Sequence, residues 1–178
     1  MATTKRDWLE RGLILIGEAG APALTIERLC RELGVTKGSF YHHFGGLGDY
    51  QAALLAFFER EATLRIIELT DGQGPAAARL RFLLDLAAGA PFAAEIGLRA
   101  WARADNGVRA ALERIDRQRI EYVRGLCREL TGDDGRALLM ARMAYAILAG
   151  APQIIPPLGP AETRRLFDEL LRLHGIGD

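Results

Sequence analysis

The sequence predicts an all-α protein, a small N-terminal helical domain followed by a larger helical one. Two observations carry this. Apolar residues recur at i, i+3, i+4 and i+7 in one stretch after another, which lines one side of a helix. No stretch shows the period-2 alternation of a half-buried strand. Glycine and proline breaks part the chain into about nine helices. Its 178 residues, 49% hydrophobic, can bury a substantial core. Lysine plus arginine number 23, as do aspartate plus glutamate. That balance excludes a histone-like binder working by bulk charge.

The first helix runs from Thr4 to about Ala19, with Thr4 and Asp7 at capping-box spacing. Trp8, Leu9, Leu13 and Ile16 form its apolar stripe, and Gly20 with Pro22 ends it. Thr25 is placed to cap the second helix, whose stripe is Ile26, Leu29, Cys30 and Leu33. Gly34 falls where its end needs a left-handed backbone. Thr36 is placed to cap the third helix, with Val35 before it, and Phe40 and Phe44 pin that helix to the second. The outer side keeps Lys37, Gly38, Ser39, Tyr41, His42 and His43. These are donors, rings and a glycine, with no acid among them. A helix–turn–helix presenting such a face reads as a DNA-recognition element.

The run LTIERLCRELGVTKGSFYHHF resembles the DNA-binding signature of the TetR/AcrR family of bacterial transcriptional regulators. The matching features are the opening LTI, the turn and helix GVTKGSFY, and the closing YHHF. The signature covers the first quarter of the chain, and the rest matches only in general helical character. The resemblance implies a three-helix DNA-binding domain over residues 1–46 and a ligand-binding and dimerisation domain over 47–178. It implies a homodimeric repressor on a near-palindromic double-stranded operator, relieved by a small effector. Thr25, Thr36, Lys37, Gly38, Ser39, Tyr41, His42 and His43 would face the DNA. The chain departs from the family at Leu47, where a phosphate-binding lysine is common.

A fourth helix starts near Leu47 or Gly48 and runs through Tyr50, Leu54, Phe57, Phe58 and Ile66 to about Leu69. After the break at Asp71–Pro75, helical patterns occupy 75–89, 91–103, 108–130, 133–155 and 160–174. In RALLMARMAYAILAG apolar residues surround nearly the whole helix, which therefore needs cover on both sides. Leu139, Met143, Ile147 and Gly150 are expected to face its own domain. Leu138, Ala141, Leu148 and Ala149, with Leu166 and Leu170 of the terminal helix, are expected to form half of a four-helix dimer interface. Phe82, Leu86, Phe92, Ile96, Trp101, Tyr122, Met140 and Tyr145 are candidate walls of an effector cavity, although core packing explains the same residues. Glu95 and Arg99 read as a solvated pair.

Catalysis is not expected. A di-iron bundle needs Glu-x-x-His pairs, which are missing from the sequence. His42 and His43 diverge around a helix and cannot clamp one metal, so neither metal nor cofactor is expected. GLILIGEAG lacks the lysine and hydroxyl of a phosphate-binding loop. Cys30 belongs to an apolar stripe, and Cys127 is either a second buried thiol or a redox sensor. The N-terminus does not read as a signal peptide. Arg142 and three prolines interrupt the most apolar region, 137–157, so no membrane span is expected and the cytoplasm is the natural compartment. The alternative reading is a helical adaptor that uses a degenerate helix–turn–helix for protein contacts, and a gel shift separates the two.

Overall fold

The computed structural model describes residues 3–176, and among these every regular element is helical. In order they are α1 (Lys5–Ala19), a 3-10 turn (Ala21–Ala23), α2 (Ile26–Leu33), α3 (Lys37–His43) and α4 (Leu47–Glu59). Then come α5 (Arg65–Asp71), α6 (Ala76–Ala88) and α7 (Ala93–Trp101). The last three are α8 (Asn106–Thr131), α9 (Asp134–Gly150) and α10 (Pro160–Leu173). A π-helical turn (Arg60–Leu64) lies between α4 and α5 in the sequence. Thr63 in that turn is buried and accepts a hydrogen bond from Arg119 Nε at 2.9 Å.

The helix ends follow local chemistry. Thr4 Oγ1 accepts from the Asp7 N–H at 3.2 Å while Asp7 Oδ2 accepts from the Thr4 N–H at 2.7 Å, a complete capping box. Gly34 sits at φ 67°, ψ 32°, the left-handed conformation that glycine adopts without steric cost. The α9 pattern was expected to run to 155, but the helix stops at Gly150. Pro152 lacks the N–H that another turn would use. For the same kind of reason α7 starts at Ala93, after Pro91.

The chain forms two compact units that alternate along the sequence: residues 1–62 with 91–113, and 63–90 with 114–178. The first holds an aromatic core. Trp8 meets Phe40 edge-on at 5.4 Å, and Phe44 meets Tyr50 edge-on at 5.0 Å. The Tyr50 hydroxyl donates to the Trp8 carbonyl at 2.9 Å. Helix α7 packs on α1 closely enough that a Cβ on Gly97 would lie 2.4 Å from the Ile16 carbonyl oxygen. Glu95 and Arg99 of α7 are paired at 2.7 Å, and both side chains are largely buried. This corrects the expected solvated pair.

The core of the second unit gathers Leu80 and Leu84 of α6, Leu126 and Cys127 of α8, Met140 of α9, and Phe167, Leu170 and Leu171 of α10. Cys127 is buried in this core, and burial pushes its thiol up to about 11, so it stays protonated at neutral pH. On α9 the expected inward face holds at Ile147, which packs against this core, and fails at Leu139 and Met143. Ala137, Met140, Ala141 and Ala144 point inward, whereas Leu139 and Met143 are 55% and 37% exposed. Ala141 (0% exposed) and Leu170 (4%) therefore belong to the unit's own core and are not available to a partner. The alanines let α9 sit close to its neighbours, a preference that an all-apolar pattern does not display.

Candidate nucleic-acid interface

Helix α3 is anchored from behind by Phe40 and Phe44, both buried in the aromatic core. Two aromatic anchors four residues apart fix its rotation, so the intervening side chains point away from the core. Lys37, Gly38, Tyr41 and His42 are exposed and Ser39 is half-buried. Tyr41 is 57% exposed, a large ring with no packing duty beyond an edge contact to Phe40 at 5.5 Å.

The threonines divide their roles. Thr25 caps α2, its hydroxyl accepting from the Arg28 N–H at 3.2 Å. Thr36 takes the cap position of α3 in backbone only: its side chain makes no capping hydrogen bond, contrary to expectation. Both are exposed. Gly38 is not required by the fold. A Cβ there would meet only Thr36 Oγ1, at an ordinary 3.6 Å.

Two residues are engaged in ways the sequence did not indicate. His43 is half-buried, with Nε2 2.9 Å from the Thr3 carbonyl oxygen, so it ties down the N-terminal segment. Lys37 is ion-paired with Glu27 of α2. The Lys37 hydrogen bond holds the Glu27 carboxyl below its ordinary range, and the same bond raises the lysine. The face of α3 lacks acids, but the neighbouring helix supplies one. Opposite charges ten residues apart across a turn were the available signal.

At the start of α4, Asp49 Oδ2 accepts from the Gly45 N–H at 3.0 Å, and Leu47 is the first helical residue. Arg11 and Arg28 of the same unit both pair with Glu32, Arg28 at 3.6 Å.

The candidate cavity residues fall in both units. Met140 is packed in the core of the second unit, where Phe82 is half-buried and Leu86 exposed. There the Tyr122 hydroxyl donates to Asp71 Oδ1 at 2.6 Å, and that of Tyr145 to Asp116 Oδ1 at 2.5 Å. Phe92, Ile96 and Trp101 belong to the first unit. Of the remaining interface candidates, Leu138, Leu148 and Ala149 are half-buried and Leu166 is exposed. Among the described residues no cluster of three or more His, Cys, Asp or Glu could hold a metal ion. No helix among them is long and apolar enough to cross a membrane.

Residues 9–46 match the family model for bacterial regulatory proteins of the tetR family. The N-terminal segment is thus similar to the DNA-binding segment of that family. The fold agrees over nearly the whole length. A TetR-family transcriptional regulator from Streptomyces coelicolor superposes with a TM-score of 0.78 at 17% identity, covering 99% of this chain and 89% of that one. A transcriptional regulator from Saccharomonospora viridis, solved in complex with choline, gives 0.80 at 17% identity, covering 94% and 95%. A TetR/AcrR family member gives 0.75 at 18% identity, covering 98% of both chains. At such identities the likeness shows the fold alone. No protein of curated function matches the sequence.

Proposed function

We propose that this protein is a homodimeric transcriptional repressor of the TetR family, cytoplasmic and released from its operator by a small effector. In this reading residues 1–46 bind DNA, residues 47–178 bind the effector and the second copy, and no step is catalytic. One observation carries the DNA-binding part: α3 is locked from behind by Phe40 and Phe44 and offers Lys37, Gly38, Tyr41 and His42 to a partner. Its donors and rings suit phosphates and base edges. Two copies would place their recognition helices in successive major grooves, about one helical turn apart. The effector is proposed as a small molecule held through side chains such as Phe82, Tyr122 and Tyr145, the Saccharomonospora relative having been solved with choline. For the second copy, Leu139, Met143 and Leu166 offer apolar surface on α9 and α10. Selection of bound duplexes from random DNA tests the reading. A two-fold symmetric motif with half-sites about a helical turn apart is expected; recovery of no motif would overturn it.

Two variants probe how the interface is built. Gly38→Ala should fold at least as stably as the parent, because alanine is the better helix former by up to about 1 kcal/mol. It should nevertheless weaken DNA binding, by holding α3 away from the groove. Chemical denaturation and a gel shift give the two signs, and undiminished DNA binding would remove Gly38 from the interface. Leu47→Lys adds a cation beside the free N–H groups of the α4 N-terminus, where a phosphate is favoured. Binding to specific and random DNA should both tighten, and the slope of log K against log salt should steepen by up to about 0.9 per subunit. An unchanged slope in the folded variant would mean that this helix end does not reach the backbone.

A further inference from the structure

The pairing of Glu27 with Lys37 is not needed by the fold. Both side chains are largely exposed, 66% and 58% respectively, and an exposed pair contributes little to stability. The cap of α2 is already made by Thr25. What the pair does change is the chemistry of the recognition face. A free lysine is a compact charge on a flexible stem with three rotatable donors, and it accepts any phosphate that comes near. With one N–H given to Glu27, the ammonium is held at the start of α3 and two donors remain.

We infer that Glu27 is a specificity-setting positioning residue, which holds Lys37 for a base edge and makes contact with phosphate alone unprofitable. The inference rests on the DNA-binding reading above. Random DNA offers Lys37 chiefly phosphates. To use one, the lysine must leave a carboxylate, or bring that carboxylate against the backbone charge, and the neutral pair releases little counterion. A guanine edge in the major groove offers O6 and N7, two uncharged acceptors. Lys37 can donate to these while keeping Glu27. The acid thus penalises random sequence more than the operator. Its neighbours on α2 and α3 do not replace it, since Glu32 is engaged by Arg11 and Arg28.

The test is Glu27→Gln in the full chain, with affinity measured against salt. The probes are a random-sequence duplex pool and a duplex selected from random DNA by the parent protein. On the random pool, binding should tighten and the slope should steepen by up to about 0.9 per subunit. The ratio of selected to random affinity should fall by about tenfold, the scale of one base contact. In a Lys37→Met background, Glu27→Gln should leave that ratio where Lys37→Met put it. Equal tightening on both probes would overturn the inference, as would the same fall in ratio without Lys37. A parent that selects a motif but shows neither change in the variant refutes this inference alone. A parent that binds neither probe refutes the DNA-binding reading with it.

Discussion

Phe40→Ala is expected to destabilise the first unit by about 3–5 kcal/mol, the usual cost of deleting a core aromatic. Phe40 is fully buried, with Trp8, Phe44 and Tyr50 rings within 5.7 Å of its own. Removing it leaves a cavity between α1, α3 and α4 that three large rings cannot refill without leaving their rotamers. The neighbouring Tyr41→Ala should behave in the opposite way. It gives up only one edge contact, about 0.5–1.5 kcal/mol, because most of the ring stands in solvent. Its loss should appear instead in DNA affinity, by about 1–3 kcal/mol. Urea denaturation followed by tryptophan fluorescence, beside a gel shift, separates the two. If Tyr41→Ala unfolds as readily as Phe40→Ala, the inner and outer faces of α3 have been assigned the wrong way round.

The contrast between these two residues explains why the N-terminal part of the chain was legible. Its helices are short and amphipathic, each carries its own cap or break, and Phe40 and Phe44 fix the rotation of α3 by spacing alone. Residue type and position then decide which side chains face outward. The pairing of Lys37 with Glu27 escaped because it joins two helices, and periodicity describes one helix at a time. His43 escaped likewise, since its partner is a main-chain carbonyl at Thr3. Helix α9 escaped for a different reason. With apolar residues all round, RALLMARMAYAILAG has no polar side to set its phase. Which face turns inward is settled by packing, which buries Ala137, Met140, Ala141 and Ala144 and leaves Leu139 and Met143 exposed. The candidate cavity residues are large apolar and aromatic side chains spread from Phe82 to Tyr145, so they follow composition rather than location. Their separation between two units reflects that.

The second large effect is expected at Leu139. Its side chain is more than half exposed on α9, in a row with Met143 one turn later, so the unit's own core does not depend on it. If that row meets its counterpart on a second copy, a two-fold axis brings every substitution into the interface twice. Leu139→Glu then buries two like charges without partners, each costing about 3–5 kcal/mol. Such a sum exceeds what most interfaces of this kind can absorb, and the dimer should dissociate at micromolar concentration. DNA affinity should fall with it, because a monomer engages one half-site only, although no residue near α3 has changed. The helical fold should survive, with the circular dichroism spectrum of the parent. Leu170→Glu provides the opposing control. That residue lies in the core beside Phe167 and Leu171, so a charge there should unfold the second unit rather than split a dimer. Sedimentation velocity reads both outcomes. A parent protein that sediments as a monomer, or a Leu139→Glu variant that remains a dimer, would show that the exposed row on α9 is not where two copies meet.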